Sequence, residues 1–147
     1  MKTTRFFLVA LVCMVMQSVT SFADDRIIPV EQLPATAKTF VKQFFPKTTI
    51  SYATKDAEFS GTKYEARLAD GTEIDFDKKG NWDKVDCKMK AVPASLIPAA
   101  IAQYIKANHP GAIITKIDKE RYGYEIELSN DLELKFNKKG QLFAIDD

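Results

Sequence analysis

The sequence predicts an α+β fold in which a helix followed by about four antiparallel strands occurs twice, giving one continuous sheet with both helices on one face. Three observations predict it. The chain repeats itself, each copy holds one stretch of helical period, and each copy continues into stretches of strict alternation. Ile28-Pro29 aligns with Val92-Pro93, Leu33-Pro34 with Ile97-Pro98, Phe40-Val41 with Tyr104-Ile105 and Pro46 with Pro110, without a gap. After a four-residue length difference near Phe59-Ser60-Gly61 the match resumes, with Tyr64-Glu65 on Tyr124-Glu125, Phe76 on Phe136, Lys78-Lys79-Gly80 on Lys138-Lys139-Gly140, and Asp86 on Asp146. Nine of the last 24 aligned pairs are identical, where chance gives one or two. The expected unit is therefore a duplicated fragment of about 60 residues, 24–90 and 91–147, folded as one globular body.

The helices come first. Pro34 opens a stretch in which Ala37, Phe40, Val41, Phe44 and Phe45 recur at three- and four-residue spacing, and Pro46 ends it. Pro98 opens the second, Ile101, Ala102, Tyr104 and Ile105 form its stripe, and Asn108-His109-Pro110-Gly111 ends it. Each is about three turns long, too short to persist in water without a surface to cover.

Strands follow. Thr48–Thr54 and Ala112–Ile117 are rich in β-branched residues. Tyr64, Ala66, Leu68, Ile74 and Phe76 alternate with Glu65, Arg67, Glu73, Asp75 and Asp77. In the second copy Tyr124, Ile126, Leu128, Leu134 and Phe136 alternate with Glu125, Glu127, Glu133 and Lys135. Asp70-Gly71 and Asn130-Asp131 mark tight hairpins, and Gly80 and Gly140 suit the next turn. A last strand holds Trp82 and Val85, and in the second copy Leu142, Phe143 and Ile145. A sheet alternating apolar with charged residues buries one face, and about eight hairpin-linked strands would form it. The parities of Ile50 with Tyr52, and of Ile113 with Ile117, disagree between copies, which calls for a bulge or a register shifted by one.

The chain has 147 residues, 46% of them hydrophobic and 28% charged, with a formal net charge of +1. This balance excludes a disordered or multi-span membrane protein, and it lacks the basic excess of a dedicated nucleic-acid binder. Residues 1–23 have the three parts of a secretory signal: Lys2 and Arg5, an apolar stretch from Phe6 to about Met16, and Ser21-Phe22-Ala23. That stretch is well short of the roughly 20 residues a spanning helix needs. The expectation is cleavage near Ala23, a periplasmic or secreted product, and no stable membrane anchor. Removing this segment takes away Lys2, Arg5 and Cys13, leaving 19 basic and 20 acidic side chains and one cysteine, Cys87. Cys87 is then either a buried apolar residue or a thiol that pairs between chains.

The pattern Leu33-Pro34, Phe40, Phe45-Pro46, Tyr64-Glu65, Leu68, Asp70-Gly71, Ile74, Phe76, Gly80 and Trp82 resembles the PepSY-like family, also called β-lactamase-inhibitor-like for its fold. The resemblance runs as two copies from about Ile28 to Asp147. The second copy departs from it at Asn130-Asp131, at Leu142 in place of tryptophan, and at His109 in place of phenylalanine. It implies small exported proteins of Gram-negative envelopes with helices packed on an antiparallel sheet, and no particular activity. The inhibitor analogy suggests a protein bound on the uncovered sheet face.

Catalytic chemistry has little to work with. After residue 23 the chain holds one histidine, His109, and one cysteine, Cys87, in different copies, with no phosphate loop, nucleophile elbow or zinc-spaced cluster. The acidic stretch from Asp70 to Asp77 lacks the glycine spacing of a calcium loop and reads as a solvated strand. No enzyme, cofactor or metal site is expected. The candidate binding face is Glu65, Arg67, Glu73, Asp75, Glu125, Glu127, Glu133 and Lys135, which is acidic and suited to a basic protein or peptide. Tyr52, Trp82 and Tyr122 are candidate aromatic anchors on it. The competing reading is a small ligand or cation held in a cleft between the copies.

Overall fold

The computed structural model describes residues 26–58 and 61–147. The segment 1–23, expected to be a secretory signal, lies outside these residues. In chain order the elements are β1 (Arg26–Ile28), a 3-10 turn (Val30–Gln32), α1 (Ala35–Phe44), β2 (Ile50–Glu58), β3 (Gly61–Leu68), β4 (Glu73–Phe76) and β5 (Trp82–Asp86). A second 3-10 turn (Ala94–Leu96), α2 (Ala99–Asn108), β6 (Ile114–Glu120), β7 (Gly123–Leu128), β8 (Glu133–Asn137) and β9 (Leu142–Asp146) follow. Among the described residues the strands form a single antiparallel sheet of nine, in the order in which they occur. The ninth strand is β1, where Ile28 pairs with Ala53. Its three residues stop at Pro29, too few to show a period in the sequence.

The apolar side of the sheet is continuous. Ile74, Val85, Ile117, Ile126 and Leu134 stand opposite one another in successive strands, and all are fully buried. One residue pair further along, Phe76 meets the edge of Phe40 from α1 at 5.8 Å and 84°. Phe136 meets Tyr104 from α2 at 5.5 Å and 77°. Burying a ring of this size contributes about 2–3 kcal/mol, and edge-on contact adds to it. The helices, which lack side-chain caps at Pro34 and Pro98, draw their stability from these contacts.

Register shifts resolve the parity conflict. Between Ile50 and Tyr52 the β2–β3 pairing skips a residue, so Ala53 and not Tyr52 turns to the core. The β6–β7 pairing shifts between Ile114 and Lys116, with the same effect on Ile117. Further bulges, at Asp83 between Trp82 and Lys84 and at Phe143 between Leu142 and Ala144, interrupt β5 and β9. The turns before these two strands are tied by side chains: Asp77 accepts from the amides of Lys79 and Asn81, and Asn137 from those of Lys139 and Gln141.

Candidate functional site

Alternation sends the intervening side chains to the other side of the sheet, where they form two rows. The first runs Glu65, Asp75, Lys84, Asp118, Glu125, Lys135 across six strands. The second runs Arg67, Glu73, Asp86, Lys116, Glu127, Glu133, Asp146 across seven. All eight residues expected on the face fall in these rows. Lys84, Asp86, Lys116, Asp118 and Asp146 join them; the sequence reading of β5, β6 and β9 rests on their apolar residues and does not place these five on the face. Lys116 and Asp118 flanking Ile117 were the available signal. Four carboxylates stand with two amines in the first row, and five with two cations in the second, so the balance is acidic.

Ion pairs knit the rows along and across strands. Arg67 pairs with Glu73 and reaches Glu65 at 3.9 Å, and Lys88 bridges Glu73 at 3.0 Å and Asp86 at 2.8 Å. At the far end Lys135 joins Glu133 at 3.4 Å and Asp146 at 2.7 Å. These bonds raise the Lys135 pKa, while Lys88 holds Asp86 low against the opposing effect of burial. The centre differs. Burial pushes the carboxyl of Asp118 up to about 6 despite Lys84 and Lys116, and raises that of Asp75 as well.

Of the aromatic candidates, Tyr52 and Tyr122 lie beside these rows. Tyr52 is stacked 6.0 Å from the Arg67 guanidinium. Tyr122 donates a hydrogen bond to Glu125 Oε2 at 2.9 Å and meets Phe143 edge-on at 5.3 Å. Burial, that bond and nearby carboxylates push its hydroxyl up to about 12. Trp82 belongs to the other side: it pairs with Phe76, lies 6.1 Å from Phe40, and carries the Lys119 ammonium 3.7 Å above its ring. Its place on the apolar side follows from the bulge at Asp83.

His109 ends α2 beside Tyr104, and Cys87 is a buried free thiol whose pKa burial pushes up to about 11. Among the described residues no group of three or more His, Cys, Asp or Glu is placed to hold a metal ion. A cleft of about 580 Å³ separates the end of α1 from the segment after β5, lined by Phe44, Pro46, Asp70, Cys87, Lys90 and Pro93 among others. No helix among the described residues is long and apolar enough to cross a membrane.

Residues 62–144 match the profile described as "Putative beta-lactamase-inhibitor-like, PepSY-like". A crystal structure of a "putative calcium-regulated periplasmic protein" from Bacteroides thetaiotaomicron is 43% identical, with a TM-score of 0.80 over 84% of this chain and 98% of that one. Two from Bacteroides vulgatus are similar: one of unknown function at 37% identity and TM-score 0.81, covering 84% of this chain and 100% of its own. The other, from the DUF2874 family, shows 39% identity and TM-score 0.79, covering 84% and 98%. All three are described as periplasmic. No curated protein matches the sequence. The chain belongs to the PepSY-like, β-lactamase-inhibitor-like family.

Proposed function

We propose that the protein is an exported, non-enzymatic binding module that takes a basic protein segment or peptide on its charged sheet face, with inhibition of that partner as one use. In this reading residues 1–23 are removed near Ala23 and the product works in the periplasm or outside the cell. The description of its relatives as periplasmic supports that location. The chain is read as two tandem PepSY-like copies whose helices cover one face of the sheet. The matching bulges of β2 and β6, and the matching contacts Phe40–Phe76 and Tyr104–Phe136, support this.

The observation that carries the reading is the pair of charged rows, nine carboxylates against four cations on seven adjoining strands. Complementary charge speeds encounter and fixes orientation. The test is titration with oligolysine and with lysine–aromatic peptides, followed by amide shifts at low and high salt. Shifts centred on β3, β4, β7 and β8, weakened by Glu65→Lys, Glu125→Lys and Glu127→Lys together, support it. Binding indifferent to those reversals overturns it.

A second reading is favoured by one observation, the relative at 43% identity described as a "putative calcium-regulated periplasmic protein". A small ligand or cation would then occupy the cleft beside Asp70, Cys87 and Lys90. Thermal shift with calcium, magnesium and small-molecule panels tests it: a saturable rise in Tm abolished by Asp70→Asn favours the cleft, and a flat response removes it.

A further inference from the structure

β5 and β9 occupy equivalent places, yet only one of them has neighbours on both sides. β5 lies between β4 and β6, whereas among the described residues β9 pairs with β8 alone. Val85 is fully buried, and Ile145, its counterpart, is 49% exposed. The difference lies in the missing neighbour, because the inner pairing is the same. Val85 stands opposite Ile74 as Ile145 stands opposite Leu134, each after a bulge in the same position.

Backbone polarity follows from one hydrogen bond. The amide of Cys87 donates to the Thr115 carbonyl at 2.9 Å. Antiparallel pairs alternate, so two residues earlier the N–H and C=O of Val85 also face β6. The shared register turns the N–H and C=O of Ile145 away from β8, toward an open edge. Proteins guard such edges with lysine, proline or a covering loop. Leu142-Phe143-Ala144-Ile145-Asp146 holds neither lysine nor proline, and its bulge at Phe143 lies outside the three residues that correspond to the paired part of β5.

The β5–β6 joint also supplies the chemistry of the occupant. There Val85 faces Ile117 and Asp86 faces Lys116. On β9 the same places hold Ile145 and Asp146, and the Asp146 side chain is 58% exposed although bonded to Lys135. We propose that β9 is a docking edge for an extended peptide segment of a partner protein, which adds a tenth strand with a β-branched residue opposite Ile145 and a lysine or arginine opposite Asp146. A second copy fits less well: β9 paired with itself about Ile145 sets Asp146 against Ala144, with no cation opposite the carboxylate. This inference concerns the edge and stands or falls apart from the face reading.

The probe is a fluorescein-labelled peptide with the sequence Ile114–Glu120, the strand known to suit β5, titrated into the chain lacking residues 1–23. The expected result is saturable anisotropy with amide shifts confined to β8 and β9. Ile145→Pro removes only an outward N–H, so the amide spectrum should persist while affinity falls at least about tenfold. Asp146→Lys should weaken binding by a similar factor, and a peptide carrying Lys116→Glu should restore it on that variant, a swap that loss of folding cannot imitate. No saturation up to about 1 mM, or equal affinity for Ile145→Pro, overturns the proposal. A dimer in sedimentation that Ile145→Pro dissolves and the peptide does not displace also overturns it, assigning the edge to a second copy.

Discussion

Gly123 packs its α-carbon directly against the backbone carbonyl of Phe136, so closely that a β-carbon there would overlap the oxygen. Its φ of 152° is equally unsuited to a side chain. Gly123→Ala must part β7 from β8 or twist the start of β7. The expected cost is about 2–4 kcal/mol, read as a lower urea midpoint with an unchanged slope.

Phe76 and Phe136 are fully buried beneath Phe40 and Tyr104, and the Val85–Ile117 pairing joins the two halves into one sheet. Phe76→Ala and Phe136→Ala should each cost about 3–5 kcal/mol. Each should also lower one shared transition, because a single apolar cluster runs through both halves. Trp82, the single tryptophan, reports the first half, and far-ultraviolet dichroism reports the whole. Coincident midpoints by the two probes are expected for both variants.

Asp118 sets a pH dependence of known sign. Its folded pKa, about 6, lies above the unfolded value of 3.8. Between those values the folded chain binds more protons than the unfolded one, so this residue's contribution is fully present below pH 4 and is lost as pH rises through 6. Solvent screening of a half-exposed carboxyl holds the effect to about 1 kcal/mol. Asp118→Asn should therefore be the more stable protein at pH 8, with the advantage vanishing near pH 4. Paired urea titrations at the two pH values measure it.

Cys87 should be inert in the folded chain. With its thiol held near pKa 11 by burial, little thiolate exists at pH 8 and none is accessible. Modification by a disulfide reagent should run at least about a hundredfold slower than in 6 M guanidinium, and non-reducing gels should show monomer.

Both helices and eight of the nine strands among the described residues were legible because proline and alternating residues report directly on local geometry. Tyr52 illustrates the remainder. Its parity with Ile50 breaks at a bulge, and a bulge is a property of the pairing with β3 that no single strand carries in its own residues. Trp82 changed sides for the same reason, one extra residue at Asp83. Asp131 adopts a φ of 65° where the corresponding turn of the first half has Gly71, so the turn survives without the residue that announces it. On the charged face, alternation within β6 marks Asp118, but its place opposite Lys84 depends on the joining of β5 to β6, two strands separated by 27 residues and a helix.

Because the strands lie side by side in the order in which they are synthesised, none has to be threaded between two already joined. Most pairings close over a short turn. Only Ile28 with Ala53 and Val85 with Ile117 must bring distant segments together, and each of those closures wraps a helix. Folding kinetics should then be governed by two helix-wrapping events against a background of fast hairpins. A chain laid down end first can thus assemble from its leading strand, each new one docking on the last.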